Sequence, residues 1–354
     1  MIPSSPSSIP SKLIRHIHLK GITPFHIAQT IQSTLVAKFL EHKKAISNPQ
    51  HAPHTPPIPT ILTFQPTPVY TTGRRELSAP LSESLIKSLR EPLTPEPTFQ
   101  LPTIRPPFTT SRSKTQTAEI VQTHRGGLIT YHGPGQLVIY PIIDLLTFPN
   151  LGVRCYVNLL EEATIQMLRK FGLKILGRTE NPGVWMNEGE KIASLGVHLR
   201  RNITSYGVGL NVVMERGWWD RIKACGLDGK RIVAMEEALF IDESPNTFPK
   251  RVVWKLALDA GLMDGKFVPQ AWVGEFARGL RRLGKGEKCD GSETADQGED
   301  ADMNPGGELG EMREWTGWGD IPLEVKQLIP FDVRGGNELN LSTTGGFVQY
   351  RYWK

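Results

Sequence analysis

The chain has few cysteines and lacks any long apolar segment. Its three cysteines, Cys155, Cys225 and Cys289, are far apart and none of them belongs to a CxxC pair. We therefore expect neither a disulfide framework nor a structural zinc site, and we expect a reducing compartment. The longest apolar run, 137–146, is interrupted by Asp144 and is too short to cross a bilayer. A secretory signal with an apolar core is also missing.

Acidic residues are scarce outside one segment. Residues 286–313 hold nine acidic and two basic side chains, so the rest of the chain carries 39 basic and 27 acidic residues, a balance of +12. We expect an acidic disordered segment over 285–313. The basic remainder suits an anionic partner such as nucleic acid, phosphate or an acidic protein, although ordinary solubility would also explain it. The first 44 residues contain one acid, Glu41. This bias is typical of an organelle presequence and predicts a short leader over 1–12.

The arrangement of strand-like and helix-like patterns predicts an α/β or α+β fold. Residues 13–20 alternate like a strand, and apolar residues at helical spacing follow Pro24 and recur from Val153. Residues 76–117 are proline-rich and weakly periodic, which indicates a surface insertion. The last residues, 314–354, form an extension of unknown role.

The most informative stretch is the glycine loop, residues 125–136, which reads Arg-Gly-Gly-Leu-Ile-Thr-Tyr-His-Gly-Pro-Gly-Gln. Glycine loses more entropy on folding than other residues, so it is kept where the backbone turns sharply or approaches something closely. Apolar residues follow at once, as in a buried strand. We interpret the loop as a binding site with a cation, a phenol and an imidazole at its rim. The alternative is a tight hairpin whose polar residues are solvated.

A second cluster places Lys191 directly before a run of small residues, and Cys225 follows after Trp218 and Trp219. A cysteine reacts as its thiolate, which a nearby ammonium group favours, and a lysine that loses its proton can act as a base. Such a pair can perform acyl transfer through a thioester. The alternatives are a solvated lysine and a cysteine that serves as a small buried apolar residue.

Together these clusters resemble the lipoyl(octanoyl) transferases. The motifs occur in that family's order: Pro-Val-Tyr-Thr-Thr-Gly-Arg at 68–74, the glycine loop, Lys-Ile-Ala-Ser-Leu-Gly at 191–196, Gly-Leu-Asn-Val at 209–212 and Ala-Cys-Gly-Leu at 224–227. The resemblance covers 13–75 and 118–284, so a catalytic domain over 13–284 is expected.

The resemblance implies the fold shared by biotin and lipoate protein ligases, a mixed sheet flanked by helices. It also implies transfer of an octanoyl group from acyl carrier protein to the ε-amine of a lysine on a lipoyl domain. Cys225 takes the position of the acyl-thioester nucleophile and Lys191 that of the residue tuning it. The residues that match the family's acyl-binding stretches are Arg125, Gly126, Gly127, Leu128, Ile129, Thr130, Tyr131, His132, Ser194, Leu195, Gly196, Gly207, Val208 and Gly209.

Several expectations accompany this implied reaction. Backbone N–H groups of Gly126, Gly127 or Gly196 are candidates to stabilise an oxyanion. Leu128, Tyr131 and Leu195 are candidates to line a slot for the eight-carbon chain. His132 either orients the thioester, relays a proton or is a structural imidazole.

No metal and no nucleotide cofactor are required, because the thioester donor is already activated. The expected partners are octanoyl-acyl carrier protein as donor, and lipoyl domains of 2-oxoacid dehydrogenase E2 subunits and the glycine cleavage H protein as acceptors. Neither nucleic acid nor a membrane is an expected partner. The expected location is mitochondrial.

The sequence departs from the family pattern at the 76–117 insertion, at Gly209, where alanine is commoner, and beyond residue 285. Three other interpretations remain. One is an ATP-dependent lipoate or biotin-type ligase on the same fold. Another is a thiol hydrolase that pairs Cys225 with His132 or His198. The third is a non-catalytic module that binds acyl carrier protein or nucleic acid.

Overall fold

The computed structural model describes residues 13–47, 55–77, 80–94, 115–223, 226, 229–239, 263, 267–287, 289, 314–316 and 346–350. The strands are β1 (Ile14–Thr23), β2 (Thr60–Pro66), β3 (Val69–Thr72), β4 (Glu119–Gln122), β5 (Thr130–His132), β6 (Gln136–Ile142), β7 (Val184–Asn187), β8 (Glu190–Arg200), β9 (Ile203–Asn211), β10 (Arg231–Ile232), β11 (Glu314–Thr316) and β12 (Gly346–Tyr350). The helices are α1 (Phe25–Ile46), α2 (Glu83–Arg90), α3 (Val153–Lys170), α4 (Arg216–Trp219), α5 (Met235–Leu239) and α6 (Val268–Gly284). Within these ranges, every helix is too short or too polar to serve as a membrane span.

The largest sheet is mixed. Its order is β10-β8-β9-β6-β2-β1-β12-β11, and β7 also pairs with β8. The β1–β2 and β8–β10 pairs are parallel, whereas β2–β6, β6–β9 and β8–β9 are antiparallel. The second sheet has the order β4-β3-β5. Mixed sheets flanked by helices confirm the predicted α/β class.

Helices cover both faces of the large sheet. On one face, α1 contributes Ile31, Leu35 and Phe39, which are four residues apart and so share one side of the helix. On the other face, α3 and α6 pack side by side over a core that includes Trp272 and Phe276. Since both faces are covered, every residue of β6 is buried. The apolar run that predicted this strand therefore reflects burial on two sides.

Parts of the predicted insertion belong to the fold. Ser82 caps α2 by accepting a hydrogen bond from the Leu85 N–H at 3.3 Å, and Leu89 is fully buried in the core of the smaller sheet. Leu93 also pairs with Gln116. The sequence predicted a surface insertion over 76–117, and the structure has the helix α2 at 83–90 within it. Residues 95–114 lie outside the described residues.

The last residues add strands to the sheet. β12 pairs with β1 in antiparallel register, Ile14 opposite Tyr350, and β11 pairs with β12. No role for this extension could be predicted from the sequence. In the structure its two strands lengthen the large sheet beyond β1. Most of the predicted acidic segment lies outside the described residues, so its disorder stays a prediction.

One expectation about the cysteines is wrong. The sulfur atoms of Cys155 and Cys289 form a disulfide, with their Cα atoms 5.2 Å apart. Cys155 lies in the first turn of α3 and Cys289 follows the end of α6, so the packing of these helices brings the two together. The two cysteines are 134 residues apart in the sequence, so their spacing does not predict that they pair. The inference of a reducing compartment from cysteine usage therefore loses its basis.

Two buried histidines share one hydroxyl group beside the sheet centre. His16 Nε2 and His18 Nδ1 lie 2.8 and 2.9 Å from Thr63 Oγ1. Burial lowers the pKa of His16 to about 3, with a further contribution from His18, and burial lowers the pKa of His18 to about 4, assisted by Lys20. Both rings are therefore neutral when folded near pH 5, while in the unfolded chain they titrate near 6.5.

This difference predicts a loss of stability in mild acid. As pH falls below 6.5 the unfolded chain binds protons that the folded chain does not. The free energy of unfolding therefore decreases by about 1.4 kcal/mol per pH unit for each histidine, down to about pH 4. Urea unfolding at pH 7 and pH 5 should show a smaller difference for the double variant His16→Gln, His18→Gln than for wild type. The exposed His26→Gln is the control. If the double variant lost as much stability between pH 7 and pH 5 as wild type does, the assignment would be contradicted.

Candidate active site

A cavity of about 310 Å³ lies between the glycine loop and strands β8 and β9. Predicted residues that line it are Arg125, Gly126, Gly127, Leu128, Thr130, His132, Lys191, Ser194, Leu195, Gly196, Gly207, Val208 and Gly209. They come from three separate motifs, and the pairing of β6 with β9 and of β9 with β8 brings them together. The volume is at the lower end of the range for small-molecule sites.

The guanidinium of Arg125 is directed into its own loop. Its Nη1 donates to the carbonyls of Gly126 and Leu128 at 3.0 and 2.9 Å, and its Nη2 donates to the Thr71 carbonyl at 2.5 Å. Only 7% of the residue is exposed. A buried cation with several carbonyl partners organises backbone, and these contacts make Arg125 part of the frame of the cavity. The sequence predicted a cation at the rim of the site. In the structure this cation, Arg125, holds the backbone of the loop in place by hydrogen bonds.

The loop also contacts the turn after β3. A Cβ atom on Gly73 would lie 2.1 Å from the Gly127 carbonyl oxygen, so a larger residue cannot occupy position 73 in this conformation. The Glu76 carboxylate accepts hydrogen bonds from the backbone N–H groups of Gly73, at 2.8 Å, and Ile129. Sequence reasoning placed position 76 at the start of the insertion, whereas the structure places this side chain in the frame of the cavity.

Strand alternation separates the loop residues into two groups. Thr130 and His132 of β5 face the cavity. Ile129 and Tyr131 point to the opposite side, where Tyr131 stacks on Trp218 with ring centroids 5.6 Å apart. Tyr131 is thus a core residue of the smaller sheet, and not the cavity-lining side chain that the sequence suggested.

Lys191 is buried, with 3% exposure, beside aromatic and acidic groups. Its Nζ lies 5.1 Å from the centroid of the Trp185 ring, within the range of a cation–π interaction. The Glu161 carboxylate of α3 is also buried, and burial raises its pKa, while the Gly183 N–H, Arg178 and Lys191 oppose that rise. The Lys191 amine is thus shielded from solvent and lies near the Trp185 ring and the Glu161 carboxylate.

The turn before β7 closes over this lysine. Gly183 has φ of +136°, and a Cβ there would lie 2.2 Å from Lys191 Cε and 2.7 Å from the Ala193 carbonyl oxygen. Its N–H donates to Glu161 Oε1 at 2.9 Å. Asn181 and Pro182 of the same turn line the cavity. The Asn-Pro-Gly sequence at 181–183 is typical of a turn, and nothing in it indicates that the turn borders a site.

A chain of amides holds His132. Its Nδ1 lies 2.5 Å from Gln136 Oε1, and Gln136 Nε2 donates to Asn211 Oδ1 at 2.8 Å. Asn211 Nδ2 in turn donates to the Val233 carbonyl at 3.1 Å. Burial lowers the pKa of His132 to about 4, and Arg125 adds to the effect while the Gln136 hydrogen bond opposes it. The imidazole is therefore neutral at physiological pH.

Two of the three glycines expected to donate an N–H to an oxyanion use that N–H elsewhere in the structure. The Gly126 N–H donates to the Val197 carbonyl at 3.0 Å, so it is not available to an oxyanion. Gly196 pairs with Gly207 within the β8–β9 ladder. Gly127 remains the candidate donor among the three, and it adopts φ of +89°.

The predicted nucleophile, Cys225, lies outside the described residues. Its neighbour Gly226 borders the loop, since a Cβ there would lie 2.4 Å from Leu128 Cδ1. His198, the other candidate partner of Cys225, is absent from the lining of the cavity and packs near His124, with ring centroids 5.8 Å apart.

Residues that sequence reasoning missed complete the lining. They are Arg75, Tyr140, Val157, Asn181, Pro182, Val197 and Tyr206. Tyr140 belongs to the buried strand β6, Val197 to the partly buried end of β8 and Val157 to a helix, so their apolar patterns indicated only packing. Among the described residues, no group of three or more side chains of the metal-binding types is found.

Comparisons with known proteins agree with these motifs. Residues 102–256 match the family model of the lipoyl protein ligase A/B catalytic domain. The chain is 37% identical over 213 residues to a protein of Schizosaccharomyces pombe named "probable octanoyltransferase", a match that covers 60% of this chain and 80% of that protein. It is 34% identical over 239 residues to the mitochondrial octanoyl-[acyl-carrier-protein]:protein N-octanoyltransferase of Danio rerio, covering 68% of this chain and 88% of that protein.

Among solved structures, the chain is similar to lipoate-protein ligase A bound with ATP, at a TM-score of 0.42 and 12% identity over 75% of this chain and 85% of that one. The alignments with the relatives from Schizosaccharomyces pombe and Danio rerio extend over 80% and 88% of those proteins. The family predicted from the motifs is thereby confirmed: the chain belongs to the octanoyltransferase family.

Proposed function

We propose that the protein transfers an octanoyl group from octanoyl-acyl carrier protein to the ε-amine of a lysine on a lipoyl domain, through an acyl thioester on Cys225 assisted by Lys191. The observation that carries this proposal is the convergence of three motifs on one cavity, with the buried Lys191 in its wall. Two relatives that are named as octanoyltransferases support it.

The lining suits an acyl chain. Apolar side chains of Leu128, Val157, Leu195 and Val208 form much of the wall, while the polar groups are concentrated at Thr130, His132, Lys191 and Ser194. Each methylene removed from water contributes about 0.8 kcal/mol, so a chain of eight carbons can supply most of the binding energy. A few polar groups then have to orient only the thioester end.

The first half of the reaction forms the acyl-enzyme. The Cys225 thiolate attacks the carbonyl carbon of the donor thioester, the new C–S bond forms, and the carrier leaves as its own thiol after taking up a proton. The Lys191 ammonium favours the thiolate by charge attraction, and its low exposure strengthens that attraction. The Gly127 N–H is the candidate donor for the charge that develops on the carbonyl oxygen.

The partners and location follow from the same chemistry. Outside residues 286–313 the chain has a charge balance of +12, which attracts an acidic carrier protein. The acceptors we propose are the lipoyl domains of 2-oxoacid dehydrogenase E2 subunits and the glycine cleavage H protein. A mitochondrial location is proposed because a relative from Danio rerio carries that location in its name.

Cys225→Ser should abolish the covalent intermediate. Wild-type protein incubated with octanoyl-acyl carrier protein, without acceptor and without ATP, should gain the mass of one octanoyl group in intact mass spectrometry. The serine variant should gain none, since a hydroxyl group is a far weaker nucleophile at neutral pH than a thiolate. An adduct on the variant would place the nucleophile elsewhere, and a requirement for ATP would favour the ligase interpretation.

Lys191→Ala should slow formation of that adduct by about 100-fold, because the thiol then loses the charge that favours its ionised form. The pH–rate profile of adduct formation should move to higher pH as the thiol pKa rises. The exposed Lys174→Ala is the matched control, with rates equal to wild type. A profile that stays in place for Lys191→Ala would remove this lysine from the proposed role.

The hydrolase interpretation makes a different prediction. It requires release of free octanoate at a rate independent of the acceptor domain. The proposed transferase should instead retain its acyl group until a lipoyl domain is added, and then produce acylated domain in equal amount.

A further inference from the structure

The amide chain behind His132 determines which ring nitrogen carries a proton. Two backbone carbonyls fix both amides, because a carbonyl oxygen only accepts hydrogen bonds. Asn211 directs its NH₂ group at the Val233 carbonyl, and Gln136 directs its NH₂ group at Asn211 Oδ1, with the Tyr131 carbonyl 3.4 Å away as a second acceptor. Gln136 therefore presents its oxygen to the imidazole.

His132 must then donate from Nδ1 to Gln136 Oε1. In a neutral imidazole the other nitrogen, Nε2, holds the lone pair. The ring is fixed further by Phe25, which stacks on it at 6.3 Å between centroids, and by Gly209, where a Cβ would lie 3.4 Å from His132 Cε1. The result is a rigid hydrogen-bond acceptor on a ring that lines the cavity.

The substrates differ in what they offer to such an acceptor. An octanoyl thioester has C–H groups and a carbonyl oxygen, which accepts hydrogen bonds, and Cys225, as the thiolate of the proposed first half-reaction, has no proton to donate. The attacking lysyl amine is the reacting group that brings N–H donors. Chemical complementarity therefore assigns the Nε2 lone pair to the second half of the reaction.

We propose that Gln136 and Asn211 are positioning residues that hold His132 as the Nδ1-protonated tautomer, so that Nε2 accepts a proton from the acceptor lysine as it attacks the acyl group. This inference rests on the proposed function for its substrate. The amine nitrogen bonds to the thioester carbonyl carbon, and the C–S bond breaks with its electron pair on the Cys225 sulfur. One N–H proton passes to Nε2, and the imidazolium then releases it to solvent.

The tautomer can be measured directly on the full chain. With ¹⁵N-labelled histidine, long-range ¹H–¹⁵N spectra at pH 7.5 distinguish a protonated nitrogen from one with a lone pair, and His132→Gln identifies the signal. We expect a protonated Nδ1 and an unprotonated Nε2 in wild type. A wild-type His132 with its proton on Nε2, or on both nitrogens, would overturn the proposal without reference to any variant.

Variants then connect the tautomer to the reaction. Gln136→Leu removes the acceptor at Nδ1, and Asn211→Leu, one bond further away, releases the Gln136 amide. Both should produce a mixture of tautomers and slow transfer from the preformed octanoyl-enzyme to a lipoyl domain, by about 100-fold for Gln136→Leu. Formation of the octanoyl-enzyme should stay at the wild-type rate.

The matched control is Gln166→Leu, a partly buried glutamine whose amide bonds Glu162 on α3. It should change neither the tautomer nor either rate. Equal slowing of both half-reactions by Gln136→Leu, or an unchanged tautomer, would contradict the inference. Failure of the proposed function is recognised separately, because wild type would then form no octanoyl adduct while the spectrum would still report the tautomer.

Discussion

Replacing Gly183 by alanine should reduce octanoyl transfer by about 100-fold, the loss expected when Lys191, in the role proposed for it, is displaced by about 1 Å. The new methyl group would overlap Lys191 Cε, at 2.2 Å, and the Ala193 carbonyl oxygen, at 2.7 Å. Since the second contact is with backbone, the turn cannot relieve the first contact by moving toward β8. The lysine side chain must therefore leave its position beside Trp185.

A second cost arises from the backbone, because φ of +136° is strained for any residue with a Cβ. Gly177→Ala separates the two effects. Gly177 has φ of +110°, and the nearest atom to its Cβ would be Ile165 Cδ1 at 3.7 Å. This variant should lose stability by a similar amount yet keep the transfer rate of its folded fraction. Equal rate losses in both variants would mean that strain, and not displacement of Lys191, limits the reaction.

Arg125→Lys should destabilise the protein by about 3 kcal/mol and abolish most of the transfer activity. A lysine ammonium cannot reproduce the planar fork that reaches the carbonyls of Thr71, Gly126 and Leu128 together. Each buried acceptor that loses its donor costs about 1–3 kcal/mol. Urea unfolding measures the free energy of unfolding, and the yield of octanoyl-enzyme measures how much activity the site retains.

The exposed neighbour Arg74 provides the control, because Arg74→Lys changes the same chemistry in solvent. It should alter the free energy of unfolding by less than about 0.5 kcal/mol. If Arg125→Lys were equally mild, the guanidinium would not organise the loop, and its direct contact with substrate would have to be considered instead.

Local patterns of apolar residues in the sequence predicted much of the fold. The helix after Pro24 and the helix from Val153 appear as α1 and α3, because each has one apolar face against the sheet. Apolar residues over 231–240 also fit a helical pattern, but the structure has β10 followed by the short α5 there. Apolar residues in a short run fit a buried strand as well as a helix, and pairing with β8 decided the outcome. Residues 250–262 have a helical pattern too, and they lie outside the described residues.

The amino-acid sequence by itself determined the family, the chemistry available to the site and the positions of its turns, because motifs and glycine placement are local properties of the chain. Only the tertiary structure decided how each side chain is used. It directed Arg125 into the loop, turned Tyr131 away from the cavity, recruited Glu76 to the frame and joined Cys155 to Cys289. These outcomes depend on strand register and helix packing between residues that are distant along the chain, and a local pattern does not contain that information.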